Sequence, residues 1–239
     1  EDSFDATSLK ESERNKDATI KKKIGVPRKF INTEGVNKEV IQNFEESLEK
    51  MKNAGYEIVD IDIKDIEKTL SVYYVLVCAE VSSNMARYDG IRYGLSIPDE
   101  NVTKGYFKTR TEGLGNEVRR RILLGTYVLS SGYYDAYYNK ANILRDHLRK
   151  EFKKVFEEVD VIAVPTSPFT AFKIGEKAND PLAMYLADIF TVPVNIVGVP
   201  AISIPSGKDS NNLPFGLQFI AGHSCEETLF TYAEAFERL

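Results

Sequence analysis

Cysteine is scarce: Cys78 and Cys225 are the only two in 239 residues. That excludes a disulfide scaffold. Histidine is just as scarce, with His147 and His223 alone. No His/Cys spacing of the zinc-ligand kind exists. No run approaches the roughly 18 consecutive apolar residues that span a bilayer. No charged-then-apolar start reads as a signal peptide, so a cytoplasmic protein without a membrane partner is expected. There is no excess of positive charge either. Lys+Arg 31 against Asp+Glu 36 gives a net −5, and a chain of that balance does not coat nucleic acid through bulk charge. Phosphate loops of the Walker or dinucleotide type are missing, as is a Gly-x-Ser-x-Gly elbow. An initial Met is missing too. Residue 1 is Glu, which fits processing or a piece of a longer chain.

What is present is core material. The chain is 43 % hydrophobic and 11 % aromatic, which excludes a disordered protein. Residues 1–22 show no helical or strand period and read as a linker or tail. Order is expected from Lys23 to Leu239. Lys23 to Pro27 reads as a short strand closed by proline. Val36, Val40, Ile41, Phe44, Leu48 and Met51 fall in an arc of about 140°, an amphipathic helix that stops at Asn53-Ala54-Gly55. Ile58, Ile61 and Ile63 alternate with acids as a half-buried strand. Strand, helix and strand make a βαβ unit with a parallel pair.

Asp65 to about Arg87 reads as a helix that is apolar nearly all round and largely buried. Residues 88–114 show no clean period and read as a long irregular loop. Two helices follow, from about Asn116 to Ser130 and from about Tyr133 to Glu158. Asp160 to Pro165 is a continuous apolar run of the doubly buried kind. Asp180 and Pro181 open a short helix. Ala201 to Pro205 and Gly216 to Ile220 read as two more buried strands, and Glu226 to Leu239 as a closing helix. About five strands and six helices, interleaved, imply a layered α/β fold with a parallel or mixed sheet.

No nucleophile stands out. Ser82-Ser83 and Ser130-Ser131 sit at helix ends, where serine caps or back-bonds. His147 lies among Arg145, Asp146, Arg149 and Lys150 on the polar side of a helix and reads as solvated. Cys225 at a helix start has no evident base. Lys21-Lys22-Lys23 reads as a solvated run.

Two charges are out of place. Arg119, Arg120 and Arg121 cannot all face solvent on one helix, and Arg121 precedes Ile122-Leu123-Leu124. A partly buried arginine needs a carboxylate or an anionic ligand. Asp188 lies in the apolar stretch Met184 to Phe190, where a buried acid needs a cation or several N–H donors. Mutual pairing, helix capping by Asp188 and ligand binding are all open on these grounds.

The strings Ser82-Ser83-Asn84 with Asp89-Gly90-Ile91-Arg92-Tyr93-Gly94, and Leu129-Ser130-Ser131-Gly132-Tyr133-Tyr134-Asp135-Ala136-Tyr137-Tyr138, have a known counterpart. So do Gly115-Asn116-Glu117-Val118-Arg119-Arg120-Arg121, Pro165-Thr166-Ser167-Pro168 and Pro214-Phe215-Gly216-Leu217-Gln218-Phe219. Together they resemble the A subunits (GatA) of tRNA-dependent glutamine amidotransferases, within the amidase-signature family. The resemblance covers essentially the whole chain and matches the C-terminal half of such subunits. It implies a three-layer α/β/α amidase-signature fold with a mixed central sheet.

It also implies a chemistry. The family hydrolyses amides with a serine nucleophile, a bridging serine and a lysine base, all carried by the half that is not in this sequence. No catalytic residue is therefore assigned here, and the isolated chain is expected to be inactive. The glutamine-binding positions carried over are Tyr73, Arg121 and Asp188. No metal or cofactor is implied for this chain; ATP and Mg belong to the partner subunit. The implied partners are GatB-like and GatC-like subunits, free glutamine, and tRNA through the complex. The other readings are a different amidase-signature amide hydrolase, or a truncated, non-catalytic interaction module. Half a sheet exposes strand edges, so poor solubility in isolation is expected.

Overall fold

In the computed structural model, which describes residues 21–176 and 181–239, the chain forms two compact units. One holds residues 21–67 and 148–239, the other residues 68–147.

The first unit is built on five strands: β1 (Lys23–Val26), β2 (Glu57–Asp60), β3 (Val161–Pro165), β4 (Ala201–Lys208) and β5 (Pro214–Ala221), in the order β2-β1-β3-β5-β4. β1 pairs parallel with β2 and with β3, and β5 runs antiparallel to β3 and to β4. The sheet is mixed, as the sequence implied. β1 is stopped by Pro27, and the single helical turn α1 (Arg28–Ile31), not anticipated, follows it. Helix α2 (Lys38–Asn53) begins two residues later than expected, because the Asn37 side chain caps it by accepting from Glu39 N at 2.8 Å. It buries Val40, Phe44, Leu48 and Met51, the stripe read from the sequence, and ends where Gly55 takes a φ of 90°.

Helices cover both faces of this sheet. Phe219 of β5 meets Tyr232 of helix α9 (Glu226–Glu237) with ring centroids 5.9 Å apart. The next side chain along, Gln218, points the other way. Its amide donates to Phe190 O at 3.0 Å, just before helix α8 (Val192–Val197). Helix α6 (Lys140–Glu158) lies beside α8 through Arg149 Nε, which donates to Val197 O. Helix α2 lies beside α9, with Tyr56 against Tyr232 and Lys50 over Phe236. The Tyr232 hydroxyl donates to Asp160 Oδ2 at 2.7 Å at the head of β3. Every residue of β3 is buried. β4 is not the buried strand the sequence suggested. It is a sheet edge whose residues are mostly exposed, with Ile204 alone fully buried. Short apolar runs do not distinguish an edge from a centre, since only the neighbours decide that.

The second unit contains α3 (Thr69–Asn84), α4 (Val102–Gly113), α5 (Asn116–Val128), a π-helical turn at Asp135–Asn139 and the start of α6. The irregular loop expected over 88–114 is corrected: its second half is α4. Asn101 caps α4 by accepting from Lys104 N, and Arg110 Nη1 ties it to Met85 O and Tyr88 O at 2.9 and 3.0 Å. α3 is buried along Val72, Leu76, Cys78 and Ala79, whereas Val75, Val77 and Val81 are half-exposed. It is therefore less enclosed than its composition implied. α3 and α5 pack closely at Gly125, where a Cβ would overlap the Cys78 carbonyl.

Asp180 lies outside the described residues, as do residues 1–20. Helix α7 spans Pro181–Leu186. Among the described residues, no helix is long and apolar enough to cross a membrane.

Candidate functional site

The first unit carries an open pocket of about 610 Å³ at the C-terminal end of β3. The antiparallel β3/β5 register puts Pro165 opposite Leu217. Thr166 then donates its N–H to Gly216 O at 2.9 Å, which fixes the residue just past the strand. β4 supplies Ser203, whose Oγ lies 2.6 Å from Thr166 Oγ1. α2 is held over β4 by a reciprocal pair of bonds. Asn43 Nδ2 donates to Ser206 O at 3.1 Å and Ser206 Oγ donates to Asn43 Oδ1 at 2.6 Å. Phe44, Phe169, Phe172 and Phe215 give the pocket aromatic walls. The loop bearing Phe169 and Phe172 is anchored by Thr170 Oγ1, which donates to Asp209 Oδ2 at 2.8 Å. Burial alone would raise the Asp209 pKa. The Leu213 and Asn211 N–H groups and the Thr170 hydroxyl outweigh that and hold it below the usual carboxylate range.

Asp188 is one of the residues lining this pocket. The expectation of a buried acid is corrected, because Asp188 is exposed while Ile189 and Phe190 beside it are buried. The apolar stretch is not one continuous helix. α7 ends at Leu186 and a turn carries the chain to α8, so neighbouring side chains diverge. Asp188 does not cap α8 with its side chain either. Its carbonyl accepts from Thr191 N and Val192 N, at 3.1 and 2.9 Å. Among the described residues the carboxylate has no hydrogen-bond partner.

Tyr73 and Arg121 lie in the second unit, Tyr73 on α3 and Arg121 on α5. Of the three successive arginines, Arg119 and Arg120 are exposed and Arg121 is half-buried, as the helical geometry required. The carboxylate beside it is Glu117, one turn earlier, which accepts from Arg121 Nε at 2.9 Å and is also paired with Arg120. Burial would lower the Arg121 pKa. The Glu117 hydrogen bond and charge, with the Tyr73 and Tyr74 phenols, more than offset it and leave it raised. Glu117 itself is held below its usual range: burial opposes its ionisation, but the two guanidinium hydrogen bonds win. Arg121 is thus a permanent cation, its Nε edge taken by Glu117. Its two Nη groups make no hydrogen bond among the described residues.

The serine pairs behave as read. Ser82 and Ser83 donate to Ala79 O, and Ser130 to Tyr127 O at 2.7 Å. The Cys225 thiol pKa is pushed up by burial and by Glu226, the reverse of what a nucleophile needs. His147 is not simply solvated: it is half-buried and its Nε2 is shut off from solvent. Among the described residues no three His, Cys, Asp or Glu side chains gather as a metal site. Sequence reasoning missed Thr166 and Ser203 as a pair. The Pro165-Thr166-Ser167-Pro168 string was the available signal, but nothing in the spacing announced its partner on β4.

The profile of the amidase family matches residues 1–230. The chain belongs to the amidase family. Within it, the chain is 51 % identical over 243 aligned residues to the A subunit of the glutamyl-tRNA(Gln) amidotransferase of Thermoanaerobacter pseudethanolicus, covering 99 % of this chain and 49 % of that protein. It is 48 % identical to the corresponding A subunit from Pelagibacter ubique, covering 99 % and 50 %. The crystal structure of the glutamyl-tRNA(Gln) amidotransferase A subunit from Thermotoga maritima superposes with a TM-score of 0.69 at 38 % identity, over 92 % of this chain and 42 % of that one. A second solved amidase, at 23 % identity and TM-score 0.70, shares the fold. The chain spans about half the length of the curated relatives it matches. The likeness to amidotransferase A subunits within the amidase family, read from the motifs, is borne out by these identities.

Proposed function

We propose that this chain is the C-terminal, glutamine-holding half of the glutaminase subunit of a cytoplasmic tRNA-dependent amidotransferase. The observation that carries the reading is the 51 % identity, over 99 % of the chain, to a glutamyl-tRNA(Gln) amidotransferase A subunit. In this reading the complete subunit hydrolyses glutamine with a Ser-Ser-Lys set in its other half. The ammonia passes to a GatB-like subunit, which uses ATP and Mg to amidate glutamyl- or aspartyl-tRNA, and a GatC-like subunit clasps the two.

The chemistry of the residues supports the assignment. Free glutamine carries an α-ammonium and an α-carboxylate. Asp188 offers an exposed carboxylate at the pocket, unshared among the described residues and suited to the ammonium. The Arg121 Nη fork suits the carboxylate in bidentate fashion, with the Tyr73 hydroxyl as a further donor. Glu117 on the Nε edge holds the guanidinium in orientation.

The test is donor-dependent kinetics of the complete complex. Arg121→Lys keeps the charge and loses the fork. Its KM for glutamine rises about 10- to 100-fold, the worth of a charge-assisted hydrogen bond, while activity with free ammonia is retained. Equal loss with both donors overturns the assignment.

A further inference from the structure

We propose that Thr166 and Ser203 read the side-chain carboxamide of the substrate and make the pocket choose an amide over the corresponding carboxylate. This rests on the reading of the pocket as the glutamine site and adds to it the residues that separate substrate from product.

The two hydroxyls are 2.6 Å apart, so one donates to the other. The donor keeps its lone pairs and the acceptor keeps its own proton. The pair therefore presents one O–H and several acceptor sites to the pocket. A primary carboxamide has the matching set, one carbonyl acceptor and two N–H donors. A carboxylate has acceptors only, together with a charge.

The pair is held in place. Thr166 is fixed through its N–H on Gly216 O at 2.9 Å, and Ser203 through its place in the β4/β5 ladder opposite Gln218. The approach also depends on Gly216. A Cβ there would lie 2.7 Å from Thr166 Oγ1 and 3.0 Å from Ser203 Oγ, inside van der Waals contact, so a side chain would occupy the space the hydroxyls share.

Charge supplies the other half of the argument. Among the described lining residues, Asp188 is the one charged side chain, and no lysine, arginine or histidine lines the pocket. A second ligand carboxylate entering between phenylalanines would find no cation among the described lining residues, an arrangement that favours its exclusion. Hydrolysis of the amide thus turns a well-matched group into a mismatched one within the same pocket.

The experiment uses the complete amidotransferase with its partner subunits. It compares the KM for glutamine with the inhibition constant for glutamate in Thr166→Val, Ser203→Ala and the double variant. Loss of either hydroxyl raises the glutamine KM by up to about tenfold, the effect of one hydrogen bond. The glutamate constant moves several-fold less, because that ligand can accept the one O–H but offers no N–H to the pair's acceptor sites. Thr166→Ser keeps the hydroxyl and restores the glutamine KM. If the two constants move together, or neither moves, the inference is overturned. Asp188→Asn is the control. It weakens glutamine and glutamate alike, since both carry the α-ammonium. If it leaves glutamine untouched, the assignment of the pocket falls, and the inference with it, whatever the hydroxyl variants do.

Discussion

Arg121 and Asp188 both stood out as charges in apolar sequence, and the fold resolves them differently. Arg121 was legible because 100° per residue leaves no way to expose three successive arginines equally. Asp188 was misread as buried because a turn breaks the apolar stretch that a helix would have continued. Thr166 and Ser203, 37 positions apart, meet only through the β3/β5/β4 ladders. Tyr127 shows the same limit, since its neighbours are set by the turn after α5. Its ring lies 4.2 Å from that of Tyr133 and 6.2 Å from that of Tyr137. The hydrogen bond with Tyr133 pushes its pKa up to about 12. A raised phenol pKa favours the protonated folded state. The contribution is therefore complete below the ordinary tyrosine value of about 10 and is lost as pH rises through about 12. An ultraviolet titration of the folded chain will show a tyrosine ionising near 12, and Tyr133→Phe will return it toward about 10. An unchanged late step in the variant contradicts the assignment.

Elements with a strong period were read well, and those without one were not. The stripe of α2 and the uninterrupted apolar run of β3 gave those elements away. α4 carries Gly105 and Gly113 and no apolar stripe, so nothing periodic marked it as a helix. The packing of α3 on α5 is another fact of the pair and not of either sequence. Gly125 sits against the Cys78 carbonyl and Ser82 Cβ. In an exposed helix Gly→Ala gains about 1 kcal/mol. Here the added methyl overlaps backbone, and overpacking of that kind costs up to about 3 kcal/mol. Overlap wins, so Gly125→Ala lowers the chemical-denaturation midpoint of the chain. An unchanged or higher midpoint would show that the two helices are free to separate.

At the scale of the molecule, the α/β class and the mixed sheet followed from alternating strands and helices. The strand order did not, because nothing local says that β1 and β3 are neighbours. The chain spans about half the length of the curated relatives it matches, and the proposed activity needs the other half as well. On the proposed reading the hydrolytic set belongs to the other half of the subunit, so the expected outcome is that the 239-residue chain, incubated with glutamine, releases no ammonia above the uncatalysed rate. Measured release would show that these residues hold a nucleophile of their own.

The parallel pairing of Gly25 in β1 with Ile162 in β3 has a consequence for how the protein is made. Roughly 135 residues separate the two strands in the chain, and ribosomes add about 5 to 20 residues per second. β1 and β2 therefore emerge on the order of ten seconds before β3, the strand that will lie beside β1. All of α3, α4 and α5 is synthesised in that interval. For its duration β1 is an unprotected edge carrying Ile24 and Val26, side chains that end with no solvent contact at all. The nascent chain exposes that edge until β3 has emerged, and a holding chaperone would act there.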